Sequence, residues 1–204
     1  LSRLVTEAEK VNRDIRTAYE NECRKKAEEL DRKINDLLKN KLSLDFCGYI
    51  DSLHDEAVKL GKDVLTYSVS MSKLNDFYNK LPKLRRAAGF DSKVNEIKYI
   101  ADPFKRKQEC ARLIDEYEKK LSKEEASYCL TYLDLLKMRD ETEDEISRRA
   151  DLELIDSVNN LMTDNPTTKD EKWCSEVENQ NRKLHERWNS IQKHFPDFAV
   201  KWQK

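Results

Sequence analysis

Asp51 and His54 stand three residues apart, which puts a carboxylate and an imidazole on one face of a helix, as di-iron bundles require. Such a site needs a second pair of this kind and further glutamates on facing helices. His185 and His194 follow Arg182 and Ile191 at that spacing, so no second pair exists. Asp51, His54, Asp55 and Glu56 are better explained as solvated surface. Cys23, Cys47, Cys110, Cys129 and Cys174 are odd in number and widely spread, and no cysteine or histidine pair has a recurring zinc-ligand spacing. A cysteine–histidine nucleophile is an unspecific signal, because any chain with five cysteines and three histidines offers such pairs. The chain has neither G-x-x-x-x-G-K nor G-x-G-x-x-G to cradle a phosphate. The expectation is a protein that is not an enzyme, with no catalytic residue, cofactor, metal or small-molecule substrate.

Charge suggests a different chemistry. The net charge is −1, but nine bases face three acids between residues 80 and 107, and twelve acids face five bases between 134 and 171. Lys83, Arg85, Arg86, Lys105, Arg106 and Lys107 form a basic patch suited to the phosphates of nucleic acid or an anionic lipid surface. Tyr78, Phe90, Tyr99 and Phe104 lie near enough in sequence to stack on bases. The weightier expectation is that the two stretches neutralise each other inside the fold or between copies, with the aromatics in the core.

Positioning these groups falls to helices. Charged residues make up 39% of the chain and hydrophobic ones 38%, with 3 Gly and 4 Pro, a composition expected to be almost entirely helical. Phe46, Ile50, Leu53, Ala57, Leu60, Val64, Tyr67, Met71, Leu74, Tyr78 and Leu81 alternate steps of four and three, the seam of a coiled coil. A helix over 46–81 would be about 54 Å long. An earlier helix, near 2–39, carries Leu4, Ala8, Val11, Ile15, Tyr19, Cys23, Ala27, Leu30, Ile34 and Leu37 on one face, with a mean step of about 3.67 that relaxes the supercoil. A turn near Asn40, with Ser43 or Asp45 as cap, folds the two into an antiparallel hairpin. Gly61 is the expected kink, the residues from Tyr67 to Ser72 a weak point, and Pro82 the end of the second helix.

Shorter helices follow. One turn stops at Gly89, and Asp102 with Pro103 opens a helix through Cys110, Leu113, Tyr117 and Leu121. Ser122 and Glu125 make a capping box for a helix burying Ala126, Cys129, Leu133 and Leu136, with 137–145 solvated or bent. Ile146, Ala150, Leu154, Val158 and Leu161 resume a face before a loop at Thr163–Thr167, and Thr168 with Glu171 forms a second capping box. The last helix carries Trp173, Val177, Leu184, Trp188, Ile191 and Phe195 and is interrupted at Pro196. Within it, Leu184, Arg187, Trp188 and Ile191 in the string LHERWNSIQ resemble part of a spectrin-repeat helix, a resemblance that implies only a helical spacer.

The expected fold is therefore all-α, with a long helical hairpin at 1–82 and a bundle of shorter helices at 83–204. The expected function is a scaffold or protein–protein interaction module. Contacts would be made by seam residues Phe46, Ile50, Leu53, Leu60, Val64, Tyr67 and Leu74, and by the aromatic anchors Trp173, Trp188, Phe195 and Trp202. Self-association is compatible with such a seam. Two alternatives remain: a coiled-coil arm of a large ATPase or GTPase, and an adaptor for nucleic acid or anionic membrane working through residues 80–107. The start at Leu1 without Met suggests a piece of a longer protein. Unpaired cysteine usage suggests an intracellular, cytoplasmic setting, and no apolar run is long enough to span a membrane.

Overall fold

Helix accounts for nearly all of the described chain, residues 2–163 and 170–202 of the computed structural model. Among these residues the order is α1 (Ser2–Leu37), α2 (Leu44–Leu65), α3 (Met71–Ile97), α4 (Pro103–Lys120), α5 (Lys123–Tyr128), α6 (Tyr132–Thr163), α7 (Glu171–Glu186), α8 (Trp188–His194) and α9 (Pro196–Trp202), with no strand. The all-α expectation holds, and α1 and α2 form its antiparallel hairpin. No described helix is long and apolar enough to cross a membrane. Two compact units divide the chain: Leu1–Lys93 with Glu116–Thr131, and Val94–Asp115 with Tyr132–Lys204. This differs from a division at residue 82, because Leu81, Leu84 and Ala88 share one core cluster with α1 and α2.

In the first unit, α1 runs 36 residues without Gly or Pro, and Arg16–Glu20 and Lys26–Glu22 pair along its solvated side. Its C-terminal half packs Leu30, Ile34 and Leu37 against Phe46, Cys47, Ile50, Leu53 and Ala57 of α2 and Leu74, Leu81 and Leu84 of α3. Ser43 caps α2 by accepting the Phe46 amide at 3.0 Å. Inside α2, Gly61 sits at φ 80° and ψ 168°, a conformation nearly restricted to glycine, and makes the expected kink.

The long second helix expected over 44–81 is broken at residues 66–70, with Tyr67 in the break. A carboxylate from α1 makes this turn: Asp31 accepts the Ser68 hydroxyl at 2.5 Å and the Val69 and Ser70 amides at 3.0 Å each. The local weakness of 67–72 becomes a break because donors left over by the turn find a fixed acceptor. Conversely, neither Pro82 nor Gly89 stops α3. A proline inside a helix costs about 3 kcal/mol, but burying a leucine contributes about 1.5–3 kcal/mol, and Leu81, Leu84, Ala88 and Phe90 are all buried around it.

The capping box at Ser122 and Glu125 forms as expected. Its helix, however, ends at Tyr128, so Leu133 is exposed and Leu135 is the buried residue. Again a distant aspartate decides the break: Asp91 accepts the Leu130 and Thr131 amides at 3.0 Å and the Thr131 hydroxyl at 2.6 Å.

In the second unit, Pro103 opens α4 with Asp102 accepting the Phe104 amide at 2.9 Å. Helix α6 continues through 137–145 without a break, with Lys137, Asp140, Glu141 and Glu143 exposed, the solvated alternative of the two expected. Met138 and Thr142 are buried there, the Thr142 hydroxyl donating to the Met138 carbonyl at 2.7 Å. Asp170 caps α7 by accepting the Trp173 amide at 2.8 Å, so Glu171 is the first helical residue instead of the far member of a capping box. Thr168 lies outside the described residues. The single helix expected through Phe195 is divided at Arg187, and Pro196 opens α9. Leu154, Ile155 and Val158 of α6 pack with Leu184 and Ile191, and Phe195 and Phe198 lie against them.

Candidate functional site

The seam residues expected to meet a partner are largely consumed within the first unit. Phe46, Ile50, Leu53, Val64 and Leu74 are buried, and Leu60 and Tyr67 are half-buried against Cys23, Ala27 and Val64. The first unit leaves a different face open. Along α1 the stripe begins at Leu4, 70% exposed, continues through Val11 at 55%, Ile15 at 62% and Tyr19 at 53%, and then disappears into the core at Leu30 and Ile34, 1% and 0% exposed.

Geometry explains the change. At 1.5 Å per residue, α1 is about 54 Å long and α2 about 33 Å. Lys33 donates to Glu56 at 2.6 Å, and Cys23 and Ala27 pack on Val64, so α2 runs out near the middle of α1. Towards the start of α1 the Tyr19 hydroxyl donates to Asp63 at 2.8 Å, and this carboxylate contact pushes Tyr19 up to about 12. Beyond it the same seam continues without α2. Val5 widens it, 54% exposed.

The basic patch is neutralised within each unit. In the first, Lys83 pairs with Glu124, Arg85 with Asp51, and Arg86 with Glu125 at 3.2 Å. The pairing holds Glu124 below the usual carboxylate range and Lys83 above the usual amine one. In the second, Arg106 lies 3.4 Å from Glu145 and also donates to the Ile100 carbonyl at 3.0 Å, while Lys107 lies 3.2 Å from Glu143. Lys105 is exposed. The basic and acidic stretches thus meet through Arg106 and Lys107. Asp51 and His54 are also engaged: Asp51 holds Arg85, and His54 stacks on Tyr78 with ring centroids 3.6 Å apart. Among the described residues no group of His, Cys, Asp or Glu is placed to hold a metal ion.

Phe195 packs on the second unit's core, and Trp173 and Trp202 line a groove of about 520 Å³ with Val158, Leu161, Met162 and Leu184. Trp188 is half-buried, against a smaller pocket shared with Leu184 and Trp202. Cys23, Cys47 and Cys110 are buried, Cys129 is half-buried and Cys174 is exposed, so only part of the expected thiol packing is realised. Burial pushes the Cys47 and Cys110 thiols up, and that of Cys129 to about 12, which makes poor nucleophiles of them.

One polar cluster in the second unit had no sequence signal. Asp151, fully buried in α6, accepts from Arg187 Nε at 2.6 Å and Ser190 Oγ at 2.6 Å, and lies 2.7 Å from His194 Nδ1. His194 Nε2 is 3.2 Å from Asp144, which also holds Lys193. Burial pushes Asp151 up, yet the bonds from Ser190, His194 and Arg187 together outweigh it and hold its carboxyl below the usual range. Serine, histidine and aspartate meet here, but not in the order acyl transfer needs. A nucleophilic serine donates to an imidazole nitrogen whose other nitrogen is held by a carboxylate. Here Ser190 Oγ, 3.4 Å from His194 Nδ1, donates to the aspartate itself at 2.6 Å, and both ring nitrogens face carboxylates, which accept and do not donate. The arrangement is a clamp between α6 and α8. The partners of Asp151 lie 36 to 43 residues further along the chain, too far for any spacing rule to join them to it.

No protein-family model, curated protein or solved structure matches the chain.

Proposed function

We propose that the chain is a non-enzymatic helical scaffold that binds another protein through the N-terminal half of α1. The observation that carries this reading is the run of Leu4, Val5, Val11, Ile15 and Tyr19, exposed on the same seam whose continuation is buried by α2. Isolated helices of such length are marginal in water, and an apolar stripe on one is covered when it is stable. The internal pairing of Lys83, Arg85, Arg86, Arg106 and Lys107 speaks for protein over phosphate as the partner, because each of these cations already has a carboxylate.

The test compares the chain with a Val11→Ser/Ile15→Ser variant, both immobilised, in capture from the source cell's lysate and washed at about 0.5 M salt, where exposed ion pairs weaken. A protein retained by the first and lost by the second is the expected result. Identical capture by both, or nucleic acid or lipid as the only retained material, contradicts it.

A further inference from the structure

The geometry points to the kind of partner that fits the bare half of α1: a single amphipathic helix of another protein, about 16 residues long, with basic residues one heptad apart along one edge. This rests on the reading of α1 as an interaction surface. The bare seam continues an established interface, so a helix lying on it takes up the line that α2 leaves after Asp63. Placing Leu4, Ala8, Val11 and Ile15 at the centre puts Val5, Asn12 and Tyr19 on one edge and Glu7 and Asp14 on the other. One edge is neutral and the other acidic, so the complementary helix carries Lys or Arg opposite Glu7 and Asp14.

A second copy of this chain fits less well. Paired antiparallel, with Leu4 over Ile15 of the copy, it brings the two acidic edges together along one side of the seam, Glu7 beside Asp14 of the copy and Asp14 beside Glu7 of the copy, and like charges there are destabilising. Paired parallel, its own continuation past residue 20 enters the space that Val64 and Tyr67 occupy over Cys23 and Ala27.

Two synthetic peptides of 20 residues, identical in their leucine stripe but with Lys or Glu at two edge positions seven apart, test this by fluorescence anisotropy against the whole chain. The lysine peptide is expected to bind about tenfold more tightly than the glutamate peptide, the swing of two exposed charge pairs. Glu7→Lys/Asp14→Lys should reverse the preference, and Val11→Ser/Ile15→Ser should abolish binding of both while leaving the thermal transition in place. Equal binding of the two peptides, no binding of either, or a preference that Glu7→Lys/Asp14→Lys leaves unchanged overturns the proposal. Sedimentation of the chain alone as a dimer that Val11→Ser/Ile15→Ser dissociates also overturns it, in favour of a second copy. None of these results touches the capture experiment above: Val11- and Ile15-dependent capture with no charge preference would leave the scaffold reading standing and remove only the basic edge.

Discussion

The two halves of α1 are made alike and used differently. Residues 4–19 and 23–37 carry one apolar stripe on an uninterrupted helix, yet the second stretch forms a core with α2 and α3 and the first faces solvent. The difference lies in the neighbour, which is too short, and not in the helix. Its length is limited by Gly61, whose positive φ kinks α2, and by the Asp31 carboxylate that gathers the turn at 68–70. An apolar period thus reports that a face wants cover, without saying whether the same chain supplies it.

The comparison is broken most severely from the buried side. Leu30→Ala or Ile34→Ala is expected to destabilise the first unit by about 2–5 kcal/mol, the transfer term plus the cavity left behind, read by chemical denaturation followed by circular dichroism. Ala substitutions of Val11 and Ile15 should stay within about 0.5 kcal/mol, as for surface sites generally. A comparable loss from both halves would mean that residues 4–19 are covered.

The boundary between the halves comes next. Asp31→Ala leaves the Ser70 amide, in a residue only 2% exposed, without its acceptor, and should cost about 1–3 kcal/mol. Gly61→Ala forces a side chain into a region that only glycine occupies comfortably, at about 1–3 kcal/mol, although a new Cβ there would meet no neighbouring atom. A neutral result for Gly61→Ala would show that the kink relaxes at no cost.

Acid should separate the units. All three tryptophans belong to the second, so selectively excited tryptophan fluorescence reports on it alone. Asp151 has its carboxyl held below the unfolded value of about 3.9, so its contribution is complete above that pH and is lost as pH falls through the lower folded value. The fluorescence-monitored stability is expected to decline below about pH 4, and Asp151→Asn should lower it at neutral pH and flatten that decline. An unchanged acid slope in the variant would remove the clamp from the account.

Local chemistry was readable where it acts over three or four residues: the Ser43 cap, the Gly61 kink, Pro103 at a helix start and the Ser122–Glu125 box all stand where the sequence puts them. What was not readable is set at a distance. Asp31 and Asp91 break helices 37 to 40 residues further along, and burial of Leu81, Leu84 and Phe90 carries α3 through Pro82 and Gly89. The stripe on α1 was visible residue by residue. Its exposure was not, because that depends on where α2 stops.

Native-state hydrogen exchange along α1 tests the central claim most directly. The amides of residues 23–37 should open only with the unit as a whole, while those of 4–19 should exchange orders of magnitude faster, as a helix with no neighbour on its apolar face does. Equal protection along the whole of α1 in the isolated chain would show that the stripe is already covered and would contradict the account.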